Sequence, residues 1–313
     1  EAVNWFRNMW RVPGRPSRLL LFLACLAPPR DDARWGAAGD AAGRQAPSRI
    51  VFSLTTIPKR IAKVKPILDA LITGQTRPLD AVYLAVPPSV KELPAWLRDY
   101  DLNCARPGIL RLLWMKADYG PASKLLAVLA EGGLAGDAAT LIVYGDDDVL
   151  YGDTLVQQHW DAQRLAVRPT AFGTRKIGIG DGGAREAILE ATGSISLRAD
   201  VGLPDAAFAV LEAPASCRLS DDYWLSRHLT EVGIELQTLP GCEYDFEYNR
   251  WPRSCGTPFQ TVPSIQHIDA LSETVLDGKA ERRYGGDWRA QLRRYEACRD
   301  LLGPARRKPS AEL

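Results

Sequence analysis

The sequence lacks several signatures that would assign a chemistry at once. None of its six cysteines stands in a CxxC pair, so a zinc ribbon and a thioredoxin-like redox site both lose support. Its three histidines contain no HExxH spacing, which excludes that metalloprotease motif. Six cysteines are also too few to predict a disulfide scaffold for a chain of 313 residues.

Neither sign of charge is in excess. The 39 Lys and Arg residues balance 38 Asp and Glu residues, for a net charge of +1. Nucleic-acid binders carry a concentrated basic surface, so we expect no nucleic-acid partner. Hydrophobic residues make up 46% of the chain, which lies in the globular range and excludes bulk disorder. The length suits two small domains or one large α/β domain.

The apolar run at residues 19–27 is much shorter than the roughly 20 residues that span a bilayer. Four arginines precede it and Pro28-Pro29 follow it, which is the anatomy of a secretory signal; a leader without a targeting role is the alternative. We therefore expect residues 1–48 to form a leader, signal or short anchor that ends in an Ala/Gly-rich flexible linker. Membrane association would run only through this segment. The location, in the secretory pathway (Golgi or ER) or the cytoplasm, depends on the role of residues 19–27.

From residue 49 the sequence alternates between strand and helix patterns. Short apolar runs predict strands at 50–54, 81–86, 110–115 and 140–144. Helical patterns lie between them, at about 61–73 and from residue 123. Strands separated by helices indicate a largely parallel sheet covered by helices, in which ligands bind at the carboxyl ends of the strands. We expect one main domain at residues 49–300 and a polar tail at 301–313.

Asp146, Asp147 and Asp148 follow Gly145 at the end of the clearest buried strand pattern, 140–144. In an extended segment, side chains two apart point the same way, so Asp146 and Asp148 are predicted to converge while Asp147 turns aside. Adjacent carboxylates repel one another unless a cation or strong donors offset the charge. Oxygen ligands suit Mg²⁺ or Mn²⁺, so the run predicts a metal site. A solvated acidic turn or a helix N-cap is the alternative.

Five motifs, in order, resemble those of a nucleotide-sugar-dependent glycosyltransferase of the GT-A fold and DxD type. They are SLTTIP at 53–58, YGPASK at 119–124, the aspartates at 146–148, LSDDYWL at 219–225, and His267 within SIQHI. The resemblance covers roughly residues 49–270. It implies a GT-A-like, Rossmann-type mixed and largely parallel sheet flanked by helices. It also implies an enzyme that uses Mn²⁺ or Mg²⁺ to move a sugar from a nucleoside diphosphate sugar to a hydroxyl of a glycan or other acceptor.

The resemblance also implies site residues. The implied metal ligands are Asp146, Asp148 and His267, and the implied donor-binding residues are Thr55, Thr56, Arg60, Lys124, Asp146 and Gly193. Asp222 matches the general base of inverting members, with Asp221 as the fallback, so inversion is favoured over retention. Each has a structural alternative: a polar turn for Thr55, Thr56 and Arg60, an exposed helix lysine for Lys124, a helix N-cap for Asp221 and Asp222, and a hydrogen-bonded structural role for His267. Gly193 interrupts a strand pattern at 187–197, and such glycines often mark close approach of a ligand or backbone.

Two other functions stay open. A metal-dependent nucleotidyltransferase would use similar carboxylates, but it needs a glycine-rich and basic triphosphate loop that the sequence does not convincingly offer. A non-catalytic carbohydrate-binding or scaffold protein would leave the acidic loop merely solvated. Nucleotide binding that depends on a divalent metal discriminates against this last function.

Overall fold

The computed structural model describes residues 46–100, 108–179, 186–200, 217, 220–243, 252, 255–258 and 288–302. Its strands are β1 Arg49–Thr55, β2 Ala81–Val86, β3 Leu110–Trp114, β4 Thr140–Tyr144, β5 Val149–Tyr151, β6 Thr170–Ile179, β7 Glu186–Arg198, β8 Glu235–Thr238 and β9 Gly256–Pro258. Its helices are α1 Lys65–Ile72, α2 Ala95–Arg98, α3 Ser123–Ala130, α4 Leu155–Leu165, α5 Asp221–Glu231 and α6 Trp288–Leu302, and a 3₁₀ turn Gly120–Ala122 precedes α3. Residues 1–45 of the predicted 1–48 leader and residues 303–313 of the predicted 301–313 tail lie outside the described residues.

Seven strands form one sheet in the order β3-β2-β1-β4-β7-β6-β8, and β5 pairs with β9 in a separate ribbon. Strands β3, β2, β1 and β4 run parallel, and β6 runs parallel to β8. Strand β7 is antiparallel to both of its neighbours. The predicted mixed, largely parallel sheet is therefore confirmed.

Helices cover both faces of this sheet. On one face, Phe52 and Leu54 of β1 lie in a core with side chains of α1 and α4. On the other face, Val51 lies in a core with side chains of α3, α5 and α6. Alternate residues of a strand point to opposite faces, so β1 contributes to both cores. Because both faces are covered, β2 and β4 are buried at every position, as their unbroken apolar sequences require.

Most predicted boundaries agree with the structure, but the first helix is shorter than expected. The pattern at 61–73 predicted a helix throughout, whereas α1 begins at Lys65 and residues 58–63 form turns. Pro66 lies in the first turn of α1, where its missing N–H leaves no helical hydrogen bond unmade. The apolar residues Ile61 and Val64 are buried all the same, so the periodicity reported burial correctly and the backbone incorrectly.

Strand β7 passes through Gly193 but carries a bulge there. Its pairing with β6 moves from Arg175–Glu190 to Gly173–Ile195, so four residues of β7 lie opposite Thr174. The predicted irregularity near Gly193 is thus confirmed as a bulge within a continuous strand. Bulges often occur next to functional sites, where they redirect side chains.

Two disulfides cross-link the described residues. Cys217 is bonded to Cys298 in α6, and Cys242 is bonded to Cys255 beside β9. The cysteine spacing gave no indication of these pairs, whose partners are separated by 81 and 13 residues. The helices described by the structure include none with the length and apolar character needed to cross a bilayer.

Candidate active site

The acidic loop, residues 145–148, leaves β4 at the carboxyl edge of the parallel strands. The Gly145 N–H donates to the Ser53 carbonyl at 3.2 Å, and the Tyr151 hydroxyl donates to the Asp146 carbonyl at 2.6 Å. A Cβ on Gly145 would overlap the Tyr151 hydroxyl oxygen and would lie 3.3 Å from the Gly193 carbonyl oxygen. A larger residue at position 145 would therefore force the Tyr151 side chain to shift, and the bulge of β7 lies against the loop.

The three aspartates of the loop differ in exposure and in partner. The side chains of Asp146 and Asp148 are 31% and 36% exposed, whereas that of Asp147 is 1% exposed. Arg60 binds two of them, with Nε 3.1 Å from Asp147 Oδ1 and Nη1 3.0 Å from Asp148 Oδ2. Burial raises the pKa of Asp147 to about 7 against the opposing charge of Arg60. Partial desolvation and the neighbouring Asp146 also raise the pKa of Asp148.

Lys124 is buried and joins the acidic loop to α5. Its ammonium lies 2.7 Å from Asp146 Oδ1 and 2.8 Å from Asp221 Oδ2, and its side chain is 3% exposed. Burial opposes the charge, but Asp146, Asp221 and Asp222 outweigh burial and raise the pKa of Lys124 well above its ordinary value. The alternative of an exposed helix lysine is wrong. The 3₁₀ turn that starts at Gly120, with a φ of 62°, directs the chain into α3 and so brings Lys124 beneath the loop.

Asp221 and Asp222 are the first two residues of α5, after Ser220 at the N-cap position. Neither serves as the N-cap. Asp222 Oδ1 accepts the Ala191 N–H at 2.9 Å, and Asp222 Oδ2 accepts the Tyr295 hydroxyl at 3.0 Å. Burial and the adjacent Asp221 raise the pKa of Asp222 well above its ordinary value. Burial raises the pKa of Asp221 as well, with Lys124 opposing it.

Sequence reasoning missed three residues of this site: Glu190, Arg175 and Tyr295. The Tyr295 hydroxyl lies 3.2 Å from Glu190 Oε1, and Arg175 Nε lies 2.6 Å from Glu190 Oε2. Glu190 had a detectable signal, because it is the one charged residue of the strand pattern at 187–197. Tyr295 had none, since it lies far along the chain within a polar helix.

The structure brings some implied donor-binding residues to the edge of the sheet but buries others. The Thr55 hydroxyl donates to the Ala85 carbonyl of β2 at 3.2 Å, so its proton is engaged in a hydrogen bond between strands. Thr56 is 1% exposed and its side chain does not reach the surface of the site. Arg60 contacts the acidic loop rather than standing free in a polar turn. His267 lies outside the described residues.

A buried histidine supports the bulge at Gly193. His159 is inaccessible, with Nε2 2.8 Å from the Ser194 hydroxyl and Nδ1 2.8 Å from the Ser196 hydroxyl. Burial lowers the pKa of His159 to about 3, so its ring is neutral near neutral pH. We interpret His159 as a structural residue that fixes β7 behind the acidic loop.

The two partly exposed aspartates fit a divalent ion in type but supply few ligands. Asp146 and Asp148 offer carboxylate oxygens, which Mg²⁺ and Mn²⁺ prefer. Within the described ranges, no group of three or more His, Cys, Asp or Glu side chains is arranged to hold a metal ion. A two-carboxylate site of this kind is completed by water and substrate phosphates. Asp146 and Asp148 alone would therefore leave a divalent ion in need of further ligands.

No protein-family model and no curated protein matches this sequence. Among solved structures, the chain is similar to the mannosyltransferase PcManGT from Pyrobaculum calidifontis, in complex with GDP-Man and Mn²⁺. The two are 18% identical with a TM-score of 0.41, over 71% of this chain and 62% of that chain. This chain thus spans less than two thirds of the length of that mannosyltransferase.

Proposed function

We propose that this chain is a glycosyltransferase that moves a sugar from a nucleoside diphosphate sugar to an acceptor hydroxyl. The observation that carries the proposal is the buried ammonium of Lys124, held between Asp146 and Asp221 at the carboxyl edge of the sheet. Burying charges removes them from water at considerable cost, and a merely solvated acidic loop has no need of such an arrangement. A binding or scaffold role therefore explains the site less well.

Lys124 joins the acidic loop to α5, and these two sides suit the departure of the diphosphate and the activation of the acceptor. On the side of the acidic loop, Lys124 and Arg60 provide positive charge where a diphosphate leaving group would gain negative charge. On the side of α5, Asp222 provides a carboxylate whose raised pKa makes it a stronger proton acceptor than an ordinary aspartate. Asp221 is the fallback base, because its Oδ2 is paired with the cation Lys124, whereas the donors to Asp222, Ala191 and Tyr295, are neutral.

The reaction we propose is a single inverting displacement. The acceptor oxygen forms a bond to the anomeric carbon while its proton passes to Asp222. The bond between that carbon and the diphosphate oxygen breaks, and its electron pair leaves with the nucleoside diphosphate. Asp146 and Asp148 would hold Mn²⁺ or Mg²⁺, with His267 as a further ligand. When bound, such an ion neutralises charge on the diphosphate.

The disulfides support an oxidising compartment for this activity. All four cysteines within the described residues are paired, as Cys217–Cys298 and Cys242–Cys255. Disulfides persist in secreted and exported proteins and are rare in the cytosol. We therefore favour the secretory location over the cytoplasmic one. Blocking free thiols in native cells before lysis, followed by mass spectrometry, tests this: four unblocked, paired cysteines are expected, and four blocked ones would contradict it.

The function is tested by thermal-shift screening of nucleoside diphosphates with and without Mn²⁺, followed by incubation with the corresponding nucleotide sugars. We expect one nucleoside diphosphate to raise the melting temperature in the presence of Mn²⁺, and its sugar donor to yield that nucleoside diphosphate as product. A nucleotidyltransferase would instead consume a nucleoside triphosphate and release pyrophosphate. A binding protein would retain a glycan without turning over any nucleotide.

A further inference from the structure

The hydroxyl of Tyr295 lies at a junction of the site that the reaction above does not use. It is 3.0 Å from Asp222 Oδ2 and 3.2 Å from Glu190 Oε1, and the residue is 2% exposed. Because the Ala191 N–H binds the other oxygen of Asp222, both carboxylate oxygens have a fixed donor. Together these two donors set the orientation of the Asp222 carboxylate plane.

We propose that Tyr295 is a positioning residue for Asp222, and that the Cys217–Cys298 disulfide holds it in place. The inference rests on the proposed function, because it concerns the base of that reaction. Glu190 already has a cation in Arg175, with Nε 2.6 Å from Oε2, so its charge is offset without help from Tyr295. The two hydrogen-bond donors to Asp222 are the Ala191 N–H and the Tyr295 hydroxyl, and neither carries a positive charge. The hydroxyl therefore matters most for Asp222.

The disulfide lies where it can fix this contact. Cys298 follows Tyr295 by one turn of α6, and residues three apart lie on the same face of a helix. Its partner Cys217 lies just before Ser220, the N-cap of α5, and both sulfurs belong to fully buried residues. The bond thus ties the turn that carries Tyr295 to the segment that leads into Asp222.

A matched control stands one residue away from the base. The Tyr223 hydroxyl lies 3.1 Å from Glu186 Oε2, and the Tyr223 ring stacks with that of Tyr295 at 6.3 Å. Tyr223→Phe and Tyr295→Phe each remove one phenolic hydroxyl from the same stacked pair. Only Tyr295→Phe removes a donor to Asp222. A difference between them therefore reports on the contact with the base rather than on loss of a hydroxyl.

For Tyr295→Phe we expect kcat to fall by about 10- to 100-fold, because small misplacements of a reacting group have effects of this size. The KM values of donor and acceptor should stay within about twofold, since the change affects orientation of the base rather than binding. Tyr223→Phe should keep kcat within about twofold of the wild type. A fall in both variants, or a change in KM at constant kcat, overturns the proposal.

A double-mutant cycle separates positioning from general damage. In an Asp222→Asn background, Tyr295→Phe should produce no further loss of kcat, because its effect runs through Asp222. Losses that multiply would contradict the positioning role. The pair Cys217→Ser/Cys298→Ser should lower kcat of the folded protein in the same way, and adding Tyr295→Phe to it should change little. A disulfide variant with wild-type kcat removes the second half of the proposal.

Sugar transfer by the wild type separates failure of the proposed function from failure of the positioning role. If it transfers no sugar from any nucleotide donor, the proposed function is wrong. If it transfers sugar and Tyr295→Phe does so equally well at an unchanged melting temperature, the function stands and the positioning role is wrong.

Discussion

The ammonium of Lys124 lies 2.8 Å from Asp221 Oδ2. This ion pair joins α3 to the first residue of α5. The same ammonium lies 2.7 Å from Asp146 Oδ1, so one buried cation connects the acidic loop to the helix that carries both candidate bases. In the reaction proposed above, this one side chain would couple the donor side of the site to the base.

The first prediction concerns the stability that Lys124 supplies. Lys124→Met leaves two carboxylates without their cation, and removing one partner of a buried pair typically costs about 3–5 kcal/mol. We expect the free energy of unfolding in urea to fall by about that amount near neutral pH. The loss should shrink at acidic pH, where the abandoned carboxylates take up protons. Lys65→Met is the matched control, because Lys65 pairs with Asp69 on a partly exposed helix surface and should contribute only about 0.3–0.5 kcal/mol.

The second prediction concerns the metal. Asp148→Asn should abolish the stabilisation that Mn²⁺ and a nucleoside diphosphate provide together, while the protein without ligand keeps its melting temperature or gains slightly. The gain follows because one of three neighbouring carboxylates loses its charge. Asp153→Asn is the control, since Asp153 is exposed five residues further along. An Asp148 variant that binds nucleotide and Mn²⁺ like the parent would exclude this residue as a ligand.

The third prediction concerns Arg60, whose Nη1 lies 3.0 Å from Asp148 Oδ2. A metal ion at Asp148 must share or displace this guanidinium, because both approach the same carboxylate. Arg60→Gln should therefore tighten Mn²⁺ binding in the absence of nucleotide, as measured by calorimetry. With nucleotide present, the variant should lose affinity for the diphosphate, because a positive charge has gone. Weaker Mn²⁺ binding without nucleotide would contradict competition between the two cations.

The parts of the fold that the sequence predicted are those that depend on local pattern. Strands β2 and β4 agree with the prediction at both ends. Their carboxyl ends lie where the apolar runs stop, at Pro87 and Gly145, and proline and glycine are both unfavourable inside a strand. Helix α1 was predicted too long because Ile61 buries its side chain from a turn and Val64 buries its side chain from the N-cap position. Apolar spacing reports burial, and burial does not require a helix.

The parts that the sequence did not predict depend on contacts between distant segments. Lys124 and Asp221 meet only because β7 and α5 are brought beside α3 by the sheet order. Tyr295 reaches Asp222 from a helix that a disulfide attaches to the start of α5. No local spacing encodes such a contact, although the sequence did single out two of the carboxylates that Lys124 joins, Asp146 and Asp221.

The fourth prediction concerns pH and the bulge of β7. His159 has a pKa near 3 in the folded state because it is buried, against an ordinary value of 6.5. Below pH 6.5 the unfolded chain binds the additional proton, so the stability due to a neutral His159 is lost as the pH falls from 6.5 towards 3. His159→Gln should be less stable than the wild type at pH 7, because glutamine fits two serine hydroxyls poorly. The difference in the free energy of unfolding between the wild type and His159→Gln should narrow by up to about 1.4 kcal/mol per pH unit as the pH falls below 6.5. Urea unfolding at pH 7, 6 and 5 measures it, and a constant difference would contradict it.

The fifth prediction separates the base from its neighbour. Asp222→Asn keeps the shape of the side chain and its hydrogen bond from Ala191, but it cannot take the proton of the acceptor. General-base contributions are about 10²–10⁴-fold, so kcat should fall by at least about 100-fold while donor affinity changes little. Asp221→Asn should act differently, because Asp221 binds Lys124: we expect lower stability and weaker donor binding. Asp161→Asn, on the exposed surface of α4, is the control and should change neither quantity.

If Asp221→Asn alone depresses kcat by two orders of magnitude, then Asp221 is the base. If neither variant depresses kcat, the inverting displacement is wrong and a retaining mechanism becomes the better account of this site.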